Sequence, residues 1–177
     1  MLSKNKIKYI RSLELKKKRI EEQGFVAEGH KLVGDLLGHF PCKLLIATSN
    51  WLKMNHSATA NEIIEVTQEE LSRASLQKTP QEVLAVFVQP SYDLNPEVIK
   101  SSLCLALDDV QDPGNLGTII RLADWFGIEH IFCSTGTADV YNPKTVPAPM
   151  GAWARVKGHF CSLPQLIESL TDIRVDG

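Results

Sequence analysis

The sequence has 177 residues, of which 44% are hydrophobic and 23% are charged, and its formal net charge at neutral pH is −2. This length and composition indicate a globular protein with one large domain or two small ones. No apolar run is long enough to span a membrane, and the basic N-terminus lacks the apolar core of a signal peptide. The four cysteines are widely separated and form no C-x-x-C pair of the kind used for zinc or redox chemistry. We therefore expect a cytoplasmic protein with buried, reduced thiols, no metal site and no membrane segment.

Basic side chains are concentrated at the N-terminus. Residues 1–20 carry eight Lys or Arg against the single acid Glu14, a net charge of +7, so the rest of the chain carries −9. One helix capped by Ser3 would place most of these cations on its outer face. Such a face is either an ordinary solvated surface or a site for a polyanion such as RNA, because phosphate contacts need only cations presented together. The apolar stripe of this helix is Ile7, Ile10, Leu13 and Ile20, and the candidate RNA contacts are Lys8, Arg11, Lys17, Lys18 and Arg19.

From Gly24 onward, strand-like and helix-like segments alternate, which predicts a compact α/β layer structure. Residues 67–70 read T-x-x-E, the form of a capping box, and start a helix through about residue 76. Apolar runs predict strands at 25–27, 42–47, 62–66 and 83–88, with a helix at 30–37 and, at 49–61, a mostly polar loop with room for one helical turn.

Residues 89–101 contain two prolines and little hydrophobic periodicity, which is typical of a linker. The predicted organisation is therefore an N-terminal domain at 1–90, a linker at 91–101 and a second domain at 102–177.

The central stretch, residues 103–127, reads LCLALDDVQDPGNLGTIIRLADWFG. It predicts a buried strand, a polar loop and a helix that ends at Gly127. This order of elements forms the place where open α/β sheets bind ligands. Gly114 and Gly117 do not have the G-x-G-x-x-G spacing of a dinucleotide site, and no ribose-binding acid follows at the usual distance, so a Rossmann enzyme is not favoured.

The same stretch resembles the first motif of the SpoU/TrmH family, RNA ribose 2′-O-methyltransferases of the knotted SPOUT superfamily. The resemblance implies a parallel-sheet α/β methyltransferase domain, S-adenosylmethionine as cofactor, ribosomal or transfer RNA as substrate, and a homodimer. It also implies functional roles for Asn115 and Arg121. The residues at the family's spacing are Asp112-Pro113, Asn115, Gly117, Ile119, Arg121, Ala123 and Phe126-Gly127.

The N-terminal half resembles the small substrate-binding domain of many SpoU proteins, which is itself similar to an RNA-binding ribosomal protein. This resemblance makes Glu28 a candidate RNA-binding residue, although Glu28-Gly29 is equally readable as a helix entry without RNA contact. The phrases that carry it are Lys8 to Leu13, Phe25 to Gly29, Thr67 to Leu71 and Thr79 to Val83.

After the central motif, residues 130–133 predict a strand parallel to the preceding one, by a right-handed crossover. Asn142-Pro143-Lys144 and Met150-Gly151-Ala152 extend the resemblance, but Pro147 and Pro149 fall inside the helix that the family has here. Proline costs about 3 kcal/mol in a helix interior, so the helix is either broken or begins at these prolines. Residues 163–170 predict a helix, and 173–175 the start of a strand.

The resemblance implies further motifs beyond Gly177 that form the knot and most of the cofactor pocket. We therefore expect a methyltransferase domain that is incomplete at its C-terminus, with its cofactor-binding residues unassigned. An alternative from another class, a non-catalytic RNA-binding protein, stays open at this point. Cofactor binding separates the two.

The chemistry of the two candidate catalytic residues follows from their functional groups. The Asn115 amide offers a donor and acceptors for orienting ribose. A guanidinium stays protonated in proteins and is unsuited to act as a base, so Arg121 more readily binds a phosphate and polarises the hydroxyl. The competing structural role for Asn115 is a helix cap. For Arg121 the competing roles are a solvent-facing position on the helix or a salt bridge to an acid such as Asp124.

Overall fold

A computed structural model describes residues 1–93, 96–149, 151–170 and 173–176. The chain divides into two compact units. The N-terminal unit comprises Met1–Pro90 together with Tyr141–Pro147, and the C-terminal unit comprises Ser91–Val140 together with Ala148–Gly177. Each unit has its own sheet, and together they confirm the predicted α/β class.

The sheet of the N-terminal unit consists of β1 (Gly24–Glu28), β2 (Cys42–Ala47), β3 (Ile63–Glu65) and β4 (Val83–Val88), in the order β1-β4-β2-β3. β4 is antiparallel to both of its neighbours, whereas β2 and β3 are parallel. β1 is buried along its whole length and β2 and β4 along most of theirs, so each reads as a continuous apolar run. The apolar runs in the sequence therefore located these strands correctly.

The helices of this unit are α1 (Lys4–Ser12), α2 (Lys16–Glu22), α3 (His30–Leu36), α4 (Ser49–Met54) and α5 (Gln68–Ala74). The predicted capping box of α5 is present, because the Thr67 hydroxyl accepts from Glu70 N–H and the Glu70 carboxylate accepts from Thr67 N–H. The Glu70 carboxylate also accepts a hydrogen bond from Leu2 N–H, and α1 packs on α5 over the sheet core. The N-terminus is thereby fixed to the body of the unit.

The prediction of one continuous basic helix is wrong, because α1 ends at Ser12 and α2 begins at Lys16. The break changes which side chains face inward: Arg19 is 2% exposed, whereas Ile20 is 55% exposed. The Arg19 guanidinium donates to the carbonyl oxygens of Leu13 at 2.8 Å and Glu14 at 2.7 Å. It thus satisfies carbonyl groups that the end of α1 leaves without helical partners.

The sheet of the C-terminal unit consists of β5 (Leu105–Leu107), β6 (His130–Cys133) and β7 (Lys157–Phe160), all parallel and in that order. The predicted parallel pairing of the first two strands is confirmed. Its helices are α6 (Pro96–Ser101), α7 (Pro113–Trp125) and α8 (Leu163–Ser169). α6 lies in the stretch that was expected to be an irregular linker, and β7 was not predicted.

The segment with Pro147 and Pro149 forms turns rather than the helix found in the family. A short 3₁₀ helix, Ala152–Ala154, follows these turns. Its N-cap is Gly151, which has a φ of +84°, a backbone conformation that favours glycine. The prolines account for the broken helix, because a ring in a helix interior removes a hydrogen bond and clashes with the preceding turn. Residues 173–176 form no strand, so the predicted strand at 173–175 is absent, and Met150 lies outside the described residues.

Two of the four cysteines, Cys42 and Cys133, are buried, and burial raises the pKa of their thiols to about 11 and about 12. Cys104 and Cys161 are partly exposed, so burial was predicted correctly only for part of the set. Within the described ranges, no helix combines the length and apolarity needed to cross a membrane.

Candidate functional site

The loop between β5 and α7 is organised by a helix cap. The Asp112 carboxylate accepts a hydrogen bond from Asn115 N–H at 2.7 Å, and Pro113 occupies the first helical turn. Both features favour a helix start at this point, because the carboxylate satisfies a free N–H and the proline has none to lose. Asp112 therefore shapes the loop, and the alternative that the Asn115 side chain serves as the helix cap is wrong. The Asn115 residue is exposed at the first turn.

The loops that follow β5 and β6 are joined at the carboxyl edge of the sheet. Asp109 N–H donates to the Ser134 hydroxyl at 2.9 Å, and the Thr137 hydroxyl donates to the Leu107 carbonyl at 3.2 Å. Gly136 approaches Asp109 so closely that a Cβ would lie 2.4 Å from its Oδ1. These contacts hold the residues that precede α7 in a fixed conformation.

Gly117 allows α7 to pack closely on the turn that contains Ala148. A Cβ at Gly117 would lie 2.4 Å from the Ala148 Cβ and 2.7 Å from its carbonyl carbon. Such distances are not possible for a residue with a side chain, so the glycine permits the close approach. Gly117 lies between Asn115 and Arg121, and this packing therefore fixes the part of the helix that carries both.

Arg121 is exposed on α7 and has no acidic partner among the described residues. Of the two competing roles, the salt bridge to Asp124 is not formed, whereas the solvent-facing position on the helix agrees with the exposure of Arg121. Asp124 instead accepts two hydrogen bonds from Arg155, at 2.8 Å from Nε and 2.6 Å from Nη2. This bidentate pair engages the nearest acid on the helix and leaves the guanidinium of Arg121 available.

Asn115 and Arg121 are six residues apart, so about 9 Å of helix axis separates their Cα atoms. Thr118 lies midway between them, and its hydroxyl donates to the Gly114 carbonyl at 2.9 Å. An open groove of about 400 Å³ runs along this part of α7 and is lined by Thr118, Arg121, Leu122, Asp124, Trp125, Pro149, Ala152 and Arg155. Thr118 and Arg121 line this groove, which has room for a ligand. Asn115 is not one of its lining residues and projects from the helix about 120° around the axis from Arg121.

Arg155 was not singled out from the sequence. It contacts Asp124 across 31 residues of chain, and no local pattern signals a pair of that separation. Ser134 and Gly136, which position the loop, were missed for the same reason.

The predicted RNA contacts fall into two groups. Lys8, Arg11 and Lys17 are exposed, and the Lys18 side chain is half exposed and paired with Glu21 at 2.5 Å. Arg19 is buried and bound to backbone carbonyls, so its prediction as a surface contact is corrected. A guanidinium held in this way is not free to bind a phosphate.

Glu28 lies at the end of β1 and is only 6% exposed. Its carboxylate accepts hydrogen bonds from Leu76 N–H at 2.8 Å and from the Ser75 hydroxyl. Burial raises the pKa of this carboxyl above its usual value, and the two hydrogen bonds oppose the shift. The alternative that Glu28-Gly29 forms a helix entry is confirmed for the backbone, because Gly29 is the N-cap of α3, although no side chain caps this helix.

The chain thus combines a unit with a mixed sheet and a unit with a parallel sheet, and Asn115 and Arg121 lie on the helix that follows the first parallel strand. Residues 102–176 match the SpoU rRNA methylase family, and residues 4–85 match the MRM3-like substrate binding domain. The chain therefore belongs to the SpoU family and carries an MRM3-like substrate-binding domain at its N-terminus.

The chain is similar to several characterised proteins. It is 30% identical over 166 residues to the 23S rRNA (guanosine(2553)-2′-O)-methyltransferase RlmP of Bacillus subtilis, covering 93% of this chain and 65% of that protein. A putative RNA methyltransferase of the TrmH family from Porphyromonas gingivalis is 45% identical with a TM-score of 0.83, covering 92% of this chain and 64% of that one. An AdoMet-bound rRNA methyltransferase from Sinorhizobium meliloti is 32% identical with a TM-score of 0.78, covering 95% and 66%. The chain thus spans about two thirds of the length of these relatives.

Proposed function

We propose that this protein transfers a methyl group from S-adenosylmethionine to a ribose 2′-hydroxyl of ribosomal or transfer RNA. The observation that carries the proposal is the presentation of Asn115 and Arg121 on α7 within a SpoU-family sequence. The similarity to proteins named as rRNA 2′-O-methyltransferases supports the same reaction and favours ribosomal RNA. Methyl transfer that depends on Asn115 and Arg121 would distinguish the proposed enzyme from a protein that only binds RNA.

Methyl transfer to a hydroxyl is an in-line displacement, so the attacking oxygen must be aligned and must lose its proton near the transition state. S-adenosylmethionine supplies a methyl group on a sulfonium, which is a good leaving group. In this chain, Arg121 binds the phosphate next to the ribose and polarises the hydroxyl, since a guanidinium stays protonated and cannot serve as the base. Asn115 orients the ribose through its amide.

The hydroxyls at the carboxyl edge of β5 and β6 already have partners within the chain. The hydroxyls of Ser134 and Thr137 are engaged with backbone groups of the β5 loop, and Gly136 is packed against Asp109. The hydroxyl proton of Thr137 is therefore not available to a nucleoside. No residue of this chain is assigned to the cofactor.

RNA binding is proposed for the exposed cations of α1 and α2, namely Lys8, Arg11, Lys17 and Lys18. These side chains hold the RNA by its phosphates, and such contacts do not distinguish one base sequence from another. A cytoplasmic location and assembly as a homodimer are further parts of the proposal.

Transfer of tritiated methyl groups from S-adenosylmethionine to ribosomal RNA tests the proposal. We expect Arg121→Ala and Asn115→Ala to reduce the rate at least tenfold without changing the fold. Arg174→Ala is the matched control, because Arg174 is an exposed arginine of the same unit that is paired with the nearby Asp176. Equal rates in the Arg121 and Arg174 variants, or RNA binding without any transfer, would contradict the proposal.

A further inference from the structure

A cavity of about 510 Å³ in the N-terminal unit has no role in the proposed methyl transfer. All of its lining residues belong to that unit, which includes the segment Tyr141–Pro147. Its volume lies in the range of sites for small organic ligands. The apolar lining residues are Val26, Ala27, Leu32, Leu76, Val146 and Pro147, and the polar ones are Glu14, Glu28, Gln77, Lys78, Asn142 and Lys144, with Pro143 between them.

The buried carboxylate of Glu28 is the most unusual group in this lining. Each of its oxygens accepts one hydrogen bond, Oε1 from Leu76 N–H and Oε2 from the Ser75 hydroxyl. A carboxylate oxygen has two lone pairs, so each oxygen keeps one further acceptor position. A buried charge is costly unless it is well hydrogen-bonded, which favours a ligand that brings donors to it.

We propose that this cavity receives an unstacked guanine base of the RNA, with the Glu28 carboxylate accepting the two adjacent N–H groups of its Watson–Crick edge. The proposal rests on the proposed function, since that function supplies RNA as the ligand. Sequence-specific RNA recognition uses unstacked bases, which are read by hydrogen bonds to their edges.

Guanine fits the donor and acceptor groups better than the other bases do. It presents N1–H and N2–H side by side, a match for two carboxylate oxygens in a charge-assisted pair. Uracil has a single N–H on this edge, and adenine and cytosine place a ring-nitrogen acceptor beside their amino group, which a carboxylate repels. Asn142, whose Oδ1 accepts from Lys144 N–H at 3.0 Å, has an amide N–H group suited to the guanine O6.

The remaining lining residues suit the rest of a nucleotide. The aliphatic side chains can cover the two faces of a base, which are apolar. The ammonium groups of Lys78 and Lys144 provide donors for the flanking phosphates. The Glu14 carboxylate lines the same cavity and repels anions. A free phosphate without an attached base should therefore bind weakly.

Titration of the full chain with 5′-GMP, AMP, UMP and CMP, followed by amide chemical shifts, tests the site. We expect GMP to bind about tenfold more tightly than the other three nucleotides. Its shifts should centre on Ala27, Leu76 and Lys78. Equal binding of the four nucleotides, or shifts centred on α1, would overturn the proposal.

Two variants separate base recognition from folding. In Glu28→Gln the amide oxygen still accepts from Leu76 N–H and the amide group donates to Ser75, but the cavity gains a donor where guanine needs an acceptor. We expect GMP to bind at least tenfold more weakly and its preference to disappear. Leu32→Trp fills the cavity with Glu28 intact and should abolish binding of all four nucleotides. Glu65→Gln, on the exposed edge strand β3, is the control and should bind GMP as the wild type does.

The outcomes also separate this site from the proposed function. GMP binding that is unaffected by both Glu28→Gln and Leu32→Trp overturns the guanine site, even if methyl transfer to RNA is observed. GMP binding that responds to both variants supports the site, even if no methyl transfer is found.

Discussion

Replacement of Gly117 by alanine perturbs the candidate site without removing any of its functional groups. In a helix interior, alanine is favoured over glycine by about 1 kcal/mol. The added Cβ, however, would lie 2.4 Å from the Ala148 Cβ and 2.7 Å from the Ala148 carbonyl carbon, and backbone atoms cannot rotate away. Overpacking of this kind costs about 1–3 kcal/mol, and overlap with backbone atoms places this clash in the upper part of that range, at about 2–3 kcal/mol. The cost of the clash therefore exceeds the gain in helix propensity. We expect a net loss of about 1–2 kcal/mol in the free energy of unfolding.

Urea unfolding measures this loss, and two other glycines provide matched controls. A Cβ at Gly114, in the first turn of the same helix, would meet only the Asp112 carboxylate at 3.1 Å, so alanine there should change stability by less than about 0.5 kcal/mol. A Cβ at Gly34 of α3 would meet nothing within 4 Å, and Gly34→Ala should stabilise by about 0.5–1 kcal/mol. If Gly117→Ala were as stable as the wild type, the close packing of α7 would be refuted.

Three further predictions address the cap, the basic segment and a buried histidine pair. Asp112→Ala should lower the free energy of unfolding by about 1 kcal/mol, whereas Asp112→Asn keeps an acceptor and should cost less; urea unfolding decides. Arg19→Ala should destabilise the protein by about 2 kcal/mol because it leaves buried carbonyls without donors, and Lys17→Ala should leave stability unchanged but weaken RNA binding. Gel shifts at two salt concentrations measure the RNA affinity of Lys17→Ala. An affinity equal to that of the wild type would contradict the role proposed for Lys17. Burial and the nearby His130 lower the pKa of His159 below 6.5, so the folded state binds fewer protons than the unfolded state. Stability is then present above about pH 6.5 and is lost as the pH falls through the lowered pKa, and His159→Phe should flatten this dependence in unfolding experiments at different pH.

The sequence predicted those features that are encoded locally. β2 and β4 begin and end where their apolar runs do, and the capping box at Thr67 starts α5. These elements are determined by residues a few positions apart, which a single sequence displays.

Features that depend on distant contacts were not predictable in the same way. β7 has the sequence KGHF, which is too polar to read as a buried strand, and it is formed by parallel pairing with β6. The break between α1 and α2 depends on Arg19 reaching back to the end of α1. Membership of residues 141–147 in the N-terminal unit likewise has no local signal.

The candidate site shows the same division. The resemblance to the family's first motif implied roles for Asn115 and Arg121. The availability of Arg121 follows from the Arg155–Asp124 pair, which only the folded chain reveals. Glu28 was singled out by resemblance, and its burial beside a cavity was not apparent from its neighbours in sequence.

The position of the transferred methyl group tests the central claim most directly. Ribosomal RNA would be incubated with this protein and S-adenosylmethionine carrying a deuterated methyl group, digested to nucleosides, and analysed by mass spectrometry. The account predicts that the deuterated methyl is found on the ribose fragment, and that Arg121→Ala removes it while Arg174→Ala does not. A label on the base fragment, or no label on the RNA, would contradict it.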